Sequence, residues 1–279
     1  MPISGATRLA GVIGYPVRHS LSPALHNAAY AACGLEWVYV AMEVAPGEVR
    51  GALDGMRALG IAGLSVTTPH KDAAFVAVDE ASEAARAMRA VNCVQLGRAG
   101  RLIGHNTDGA GFVDSLRLDA MLDPSGLRVA VIGAGGAARS VVEALGRAKA
   151  GEVVVVNRTP SRAHDAAALA GGRGRVGTMA DIESVDLVVN ATSIGMGSDD
   201  SPIDAALLHA GQVVADLVYH PLDTALLRSA VAVGARTVDG LGMLVHQAAH
   251  QFRLWTDHEA PLIAMRRAAE AELGRRATS

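Results

Sequence analysis

The feature that most constrains the fold is the segment 129–138, which has the sequence VAVIGAGGAA. Its first four residues are apolar and typical of a buried strand, and a glycine-rich turn then leads into a predicted helix, Ala137–Ala148. Gly133 permits a tight turn, Gly135 lets the backbone approach a pyrophosphate, and Ala138 lets the helix pack closely on the strand. The segment predicts dinucleotide binding, with a tight strand–helix turn as the alternative, at Gly133, Ala134, Gly135, Gly136 and Ala137.

Strands and helices alternate after this turn, which predicts a doubly wound parallel sheet of the Rossmann type. The predicted strands are Arg128–Ile132, Val153–Val156, Leu187–Asn190 and Gln212–Asp216, and two further helices are Ser161–Ala170 and Thr224–Ala232.

The first third of the chain predicts a second, mixed α/β sheet. A hairpin is expected at Asn92–Leu96 and Arg101–Gly104, because a glycine-containing turn separates two short apolar runs. The other predicted elements are the strands Leu9–Ile13, Trp37–Val44 and Gly63–Val66 and the helices that begin at Ser22 and span Pro46–Leu59. A polar segment, Asp119–Gly126, separates the two series, and 279 residues suffice for two domains.

Charge and composition exclude several classes. The chain has 25 Lys and Arg against 28 Asp and Glu, so nucleic acid is not expected as a partner. No apolar run approaches the ~20 residues of a membrane span. Cys33 and Cys93 are too few for a disulfide framework and no secretory signal begins the chain, so we expect a reduced, cytoplasmic protein.

The end of the second strand of the parallel series predicts the cofactor. An NAD enzyme usually has an acidic residue there, whereas this chain has Asn157, Arg158 and Thr159, followed by Arg162. Two guanidinium groups without a carboxylate favour the 2′-phosphate of NADP. The alternative is that both arginines are ordinary surface charges.

Three polar segments of the first third are candidate substrate contacts. Ser20 and Ser22 could hold a small carboxylate, although Ser22 could equally be a helix N-cap and Ser20 a turn residue. Lys71 follows a strand end, and Asp108 follows another; by default they would be a solvated charge and a helix cap.

His246 and His250 have the spacing of a zinc-binding helix, but Gln247 stands where that motif needs a glutamate. We therefore expect no metal and interpret Gln247 as an amide that binds a hydroxyl.

Taken together, these segments resemble the shikimate dehydrogenase family, and the matches follow the same order over nearly the whole chain. They are Gly14-Tyr15-Pro16, His19 to Pro23, Val66-Thr67 with Pro69 and Lys71, Ala90 to Asn92, Asn106 to Gly109, Gly133 to Arg139, Asn157 to Thr159, Asn190 to Ser193, and Asp239 to Leu244 with Gln247. The resemblance implies a discontinuous substrate domain, residues 1–106 and 242–279, and an NADP-binding Rossmann domain, residues 107–241.

The resemblance also implies residue roles. Lys71 and Asp108 would be the catalytic pair, and Ser20 and Ser22 would bind the substrate carboxylate. Thr67, Asn92, Tyr219 and Gln247 would line the pocket around the substrate ring. The cofactor site would comprise the Gly133–Ala137 turn together with Asn157, Arg158, Thr159, Arg162, Thr192 and Gly240.

Two positions depart from the family pattern, and one of them, His105, which stands where an acid is common, is expected to be functionally neutral. Ser65 stands where the family often has asparagine, and its shorter side chain is expected to lose a contact with a ring hydroxyl or to make it through water.

The activity implied is the NADP-dependent, reversible reduction of 3-dehydroshikimate to shikimate in the chorismate and aromatic amino acid pathway, by a monomer or homodimer. The alternatives are a quinate or aminoshikimate dehydrogenase of the same family, or a non-catalytic sensor of dinucleotide or shikimate.

Overall fold

The computed structural model describes residues 3–277, and the chain forms two compact units. The first unit contains the chain up to Thr107 and again from Gln247, and the second is Asp108–His246. Both are α/β, one with a mixed sheet and one with a parallel sheet, so the predicted fold class is confirmed.

The first unit is built on a six-stranded sheet in the order β2-β1-β3-β5-β6-β4. Its strands are β1 (Arg8–Gly14), β2 (Trp37–Glu43), β3 (Gly63–Val66), β4 (Glu80–Ala81), β5 (Cys93–Leu96) and β6 (Leu102–His105). β1 lies parallel to β2 and β3, whereas β5 is antiparallel to both β3 and β6. The predicted hairpin is therefore the β5–β6 pair, and only the two-residue β4 was missed.

The helices of this unit are α1 (Ser22–Ala32), α2 (Val49–Leu59), α3 (Lys71–Ala77), α4 (Glu83–Met88) and α10 (Leu262–Ala277), together with the end of α9 (Gly240–Thr256). α2 begins at Val49, three residues after the predicted Pro46, because Gly47 has a φ of 95°, which a helix does not allow. It ends at Gly60, whose φ of 65° is the left-handed conformation that favours glycine.

The second unit is built on a sheet of six parallel strands in the order β12-β11-β10-β7-β8-β9. The strands are β7 (Arg128–Ile132), β8 (Glu152–Val156), β9 (Gly174–Val176), β10 (Leu187–Asn190), β11 (Val213–Asp216) and β12 (Arg236–Val238). Counted from β7 as the first strand, this is the order 3-2-1-4-5-6 of dinucleotide-binding sheets. The chain therefore reverses direction across the sheet between β7 and β10.

Helices cover both faces of this sheet, so successive strand residues are buried alternately on one side and the other. Val129, Val131 and Val153 belong to one apolar cluster, and Ala130 and Val154 belong to the opposite one. The helices are α5 (Asp108–Asp114), α6 (Gly136–Arg147), α7 (Pro160–Ala167), α8 (Ala225–Ala232) and the first part of α9. α7 ends three residues before the predicted Ala170, where the chain tightens into a 3₁₀ turn.

No helix between residues 3 and 277 is both long enough and apolar enough to cross a membrane.

Candidate active site

The glycine-rich turn lies at the strand-order reversal of the second unit. Gly133 follows β7 with a φ of 111°, a conformation that a side chain would strain. A β carbon at this position would lie 3.0 Å from the carbonyl oxygen of Ala191 and 3.1 Å from Cγ2 of Thr192, at the end of the neighbouring β10. Glycine is therefore needed both for the turn and for the close approach of the loop after β10.

The amino terminus of α6 provides backbone donors next to open space. Gly135 is the N-cap and supplies no side-chain acceptor, so no side chain satisfies the first N–H groups of the helix. A β carbon built on Gly135 or Gly136 would have no neighbouring atom within 4 Å. This geometry suits the pyrophosphate of a dinucleotide, which would accept hydrogen bonds from these N–H groups.

The residues that follow β8 suit a phosphorylated ribose. Arg158 and Arg162 are exposed, and in the described part of the chain neither forms an ion pair with a carboxylate. Asn157 braces the loop, because its Nδ2 donates to the carbonyl oxygen of Thr159 at 3.0 Å. Two guanidinium groups shortly after this strand match the charge of a 2′-phosphate.

A buried hydrogen-bond network holds the loop after β10. The backbone N–H and the hydroxyl of Thr192 donate to Oδ1 of Asn190, at 3.0 and 2.7 Å. Asn190 Nδ2 in turn donates to Oδ1 of Asp216 at 2.8 Å, and burial raises the pKa of that carboxyl. Asn190 and Asp216 are the last residues of β10 and β11, so their position in the sequence could have identified them.

Gly240 opens α9 against the loop after β11. A β carbon there would lie 2.4 Å from the carbonyl oxygen of Leu217, so only glycine allows this contact. Tyr219, predicted to line the substrate pocket, lies half-buried in the same loop.

The two predicted carboxylate-binding serines lie at the start of α1. The backbone N–H of Ser22 donates to Oγ of Ser20 at 3.2 Å, so the pair is held together locally. Leu21, and not Ser22, is the N-cap, and no side chain caps this helix. The interpretation of Ser22 as a helix cap is therefore wrong.

The terminal helix α10 supports the serine loop. Nη1 of Arg276 donates to the carbonyl oxygen of His19 at 2.6 Å, while its Nε pairs with Glu272 at 2.8 Å. Sequence reasoning missed this role of Arg276, because nothing in the sequence relates a residue near the carboxyl terminus to the loop before α1.

Thr67, Lys71 and Asn92 lie around the end of β3. The backbone N–H of Thr67 donates to the carbonyl oxygen of Ile13 at 3.0 Å. The N–H of Val91 donates to the carbonyl oxygen of Lys71 at 3.0 Å, which places the first residue of α3 beside the neighbour of Asn92.

The side chains of Asn92 and Thr107 are joined to α9. Asn92 Oδ1 accepts from the N–H of Thr107 at 2.8 Å, and its Nδ2 donates to the Thr107 hydroxyl at 3.0 Å. That hydroxyl donates to the carbonyl oxygen of Gln247 at 3.1 Å. The structure thus brings Asn92 and Gln247 into one buried network of the first unit. Asp108, the next residue of the chain, is buried and opens α5 in the second unit.

The first histidine of the α9 pair, His246, has a structural partner. His246 is buried and its Nε2 lies 3.1 Å from Oδ1 of Asp119. Within residues 3–277 there is no cluster of three His, Cys, Asp or Glu side chains that could hold a metal ion.

The second unit has a dinucleotide turn at its strand-order reversal and two arginines beyond the next strand, and the first unit has a group of buried polar side chains. Together they define an α/β oxidoreductase that uses a dinucleotide. Three family models match the chain: the shikimate dehydrogenase substrate-binding domain over residues 12–94, shikimate/quinate 5-dehydrogenase over residues 118–196, and the shikimate 5′-dehydrogenase C-terminal domain over residues 240–270.

A shikimate dehydrogenase (NADP(+)) of Moorella thermoacetica is 43% identical over 284 residues, with 98% of this chain and 96% of the relative covered. The shikimate 5-dehydrogenase of Thermus thermophilus, solved with NADP(H) and shikimate, is 38% identical with a TM-score of 0.89, over 95% of this chain and 99% of that one. A quinate dehydrogenase of Corynebacterium glutamicum, solved with NAD, is 33% identical with a TM-score of 0.88 over the same shares. The chain belongs to the shikimate dehydrogenase family.

Proposed function

We propose that this protein catalyses the NADP-dependent, reversible reduction of 3-dehydroshikimate to shikimate, a step of aromatic amino acid precursor biosynthesis. The observation that carries the proposal is the match of 98% of the chain to a relative named shikimate dehydrogenase (NADP(+)). Lys71 and Asp108, which a protein that only binds its ligand would not need, both stand in the family's motifs.

Hydride transfer to a ketone requires a proton at the same oxygen. NADPH, when bound, supplies the hydride. Lys71 Nζ donates the proton to the carbonyl oxygen that becomes the hydroxyl, and takes it back in the reverse direction. Asp108 binds the adjacent hydroxyl of the substrate and acts with Lys71 as the catalytic pair.

Substrate recognition is assigned mainly to polar side chains of the first unit whose hydrogen bonds are described above. Ser20 and Ser22 hold the carboxylate, supported by their mutual contact and by the absence of a capping role for Ser22. Asn92 and Gln247 bind ring hydroxyls, supported by their burial and their shared contacts with Thr107. Thr67 of the first unit and Tyr219 of the second are also assigned to substrate binding.

The cofactor is held by the Gly133–Ala137 turn, Thr192 and Gly240, with Asn157 and Thr159 shaping the loop after β8. Arg158 and Arg162 select NADP over NAD, supported by their exposure and lack of carboxylate partners among the described residues. The substrate domain is assigned to residues 1–106 and 242–279 and the cofactor domain to residues 107–241. The protein acts in the cytoplasm as a monomer or homodimer.

Quinate is the second candidate substrate. It is favoured by the resemblance to the Corynebacterium quinate dehydrogenase and by Ser65, which stands where the family often has asparagine. One steady-state panel crossing shikimate and quinate with NADP and NAD decides between them. We expect the highest kcat/KM with shikimate and NADP. Preference for quinate or NAD would replace the assignment, and no turnover with any combination would favour the sensor.

A further inference from the structure

A chain of hydrogen bonds lies behind the proposed substrate residues of the first unit. The hydroxyl of Tyr39, in β2, donates to Oγ of Ser65 at 2.5 Å. Ser65 Oγ donates to Oε1 of Gln251, whose Nε2 donates to Oε1 of Gln247 at 2.9 Å. All four side chains are buried, with 1%, 6%, 2% and 9% of their surfaces exposed in that order.

An acceptor-only group fixes the direction of these hydrogen bonds: the backbone carbonyl oxygen of Asn92 lies 3.4 Å from the nitrogen end of the Gln251 amide, so the oxygen end faces Ser65. A serine hydroxyl has one proton. Ser65 accepts a hydrogen bond from Tyr39 and donates its own proton to the amide oxygen of Gln251. Burial raises the pKa of Tyr39, which keeps the phenol protonated and able to donate. Gln251 therefore turns its oxygen to Ser65 and its NH₂ group away from it.

The NH₂ group of Gln251 lies among three acceptors. The closest is Gln247 Oε1 at 2.9 Å, followed by the hydroxyl of Thr107 at 3.3 Å and the carbonyl oxygen of Asn92 at 3.4 Å. Gln247 precedes Gln251 by four residues on α9, so the two amides lie on the same face of one helix.

The orientation of an amide side chain is set by its hydrogen bonds, because its oxygen and nitrogen ends have nearly the same shape. Gln251 engages the oxygen end of Gln247, so the donor end of Gln247 faces the other way. A ketone oxygen accepts hydrogen bonds and donates none, so a site that binds both ketone and alcohol benefits from an amide held with its NH₂ outward.

We propose that Gln251 is a positioning residue, backed by Ser65 and Tyr39, that orients Gln247 as a hydrogen-bond donor to the oxygenated ring of the substrate. This role rests on the proposed function of Gln247 in binding shikimate. It also gives Ser65 a role, because the Ser65 hydroxyl donates to Oε1 of Gln251 and so holds that amide in place.

The first test is a double-mutant cycle. Gln251→Met removes the donor at similar side-chain length and is expected to raise the KM for shikimate about 10-fold, with the KM for NADP unchanged. In a Gln247→Ala background the same change should alter the shikimate KM less than twofold, because its effect acts through Gln247. As a control, Gln212→Met removes a buried glutamine of the second unit, which bonds only backbone groups, and should lower Tm with both KM values unchanged.

The second test covers poor folding of the methionine variant. Gln251→Glu is nearly isosteric, and its carboxyl can donate to Gln247 only while it is protonated. The shikimate KM of this variant should approach the parent value at low pH and rise as the carboxyl ionises, a step that the parent lacks.

The outcomes separate two failures. Suppose that the parent oxidises shikimate. The positioning role is then overturned, and the proposed function stands, if Gln251→Met changes the shikimate KM less than twofold or changes it equally in both backgrounds. The same holds if the shikimate KM of Gln251→Glu shows no pH step. If the parent oxidises no shikimate, the proposed function is overturned, and this role with it.

Discussion

His26 stacks on Tyr39 with ring centroids 4.3 Å apart and ring planes inclined by 9°. The imidazole is fully buried, and neither ring nitrogen has a hydrogen-bond partner among the described residues. Trp255 lies against the same ring at 5.2 Å. Burial without a partner disfavours the charged imidazolium and lowers the pKa of His26 to about 3.

The pKa of His26 predicts a loss of stability in mild acid. An unfolded histidine has a pKa of about 6.5, so between about pH 6.5 and pH 3 the unfolded state binds a proton that the folded state does not. Above pH 6.5 His26 is neutral in both states, and its burial costs no stability through protonation. As the pH falls below 6.5, the free energy of unfolding decreases by at most about 1.4 kcal/mol per pH unit. His26→Phe should lose less stability between pH 7.5 and pH 4.5 than the parent.

Urea denaturation followed by tryptophan fluorescence measures this difference, because Trp37 and Trp255 are the only tryptophans and both belong to the first unit. His164→Gln, at an exposed histidine of the second unit, should keep the pH dependence of the parent. Parallel stability curves for the parent and His26→Phe would show that His26 does not titrate in this way.

Cofactor preference should depend on Arg158. Arg158→Ala removes a guanidinium from the proposed 2′-phosphate site and should raise the KM for NADP about 10-fold, with little change for NAD, which lacks that phosphate. Charge reversal, Arg158→Glu, should raise the KM for NADP further.

Arg267→Ala is the matched control for cofactor preference, because it removes one exposed positive charge from the first unit. Both cofactor constants should remain at the parent values in this variant. Equal efficiency of the parent with NADP and NAD would contradict the assignment.

The carboxylate site can be distinguished from helix capping by comparing serines. Ser20→Ala and Ser22→Ala should each raise the shikimate KM by roughly 10- to 150-fold, equivalent to about 1.5–3 kcal/mol for a hydrogen bond to a charged group, and leave the NADP KM unchanged. Ser82 caps α4, since its side chain accepts from the N–H of Ala85. Ser82→Ala should therefore lower Tm with an unchanged KM.

Calorimetry and kinetics on the same samples test this contrast. A Ser22→Ala variant with reduced Tm and normal shikimate KM would assign the serine a structural role only.

The parts of the fold that the sequence predicts are those with strong local signals. β10 lies where three successive apolar residues predict it, and the glycine turn lies where Gly133 needs a positive φ. β4 was missed because two residues cannot show a period, and β9 and β12 have three residues each. Such strands are defined by the neighbours with which they pair.

In the candidate site, too, the sequence predicts the residues that have a local signal and misses those that do not. Arg158 and Ser22 are predicted site residues because they stand next to recognisable strand or helix ends. The contacts of Gln251 with Ser65 and of Arg276 with His19 join residues 186 and 257 positions apart, and no local pattern relates them. Partners of this kind depend on the tertiary fold, so a single sequence does not identify them.

The proposed catalytic pair gives the most demanding prediction. If Lys71 Nζ moves the proton, Lys71→Ala should lower kcat by roughly 10²- to 10⁴-fold, and NADP binding should barely change because Lys71 lies in the first unit and the glycine turn in the second. Asp108→Asn should also slow turnover. Because the two residues act as a unit, the double variant should be little slower than the slower single variant.

Steady-state kinetics of the parent, the two single variants and the double variant, with NADP binding measured by fluorescence titration, test this double-mutant cycle. Additive losses would mean that the residues have separate roles, and near-normal kcat in Lys71→Ala would leave that lysine as a solvated charge.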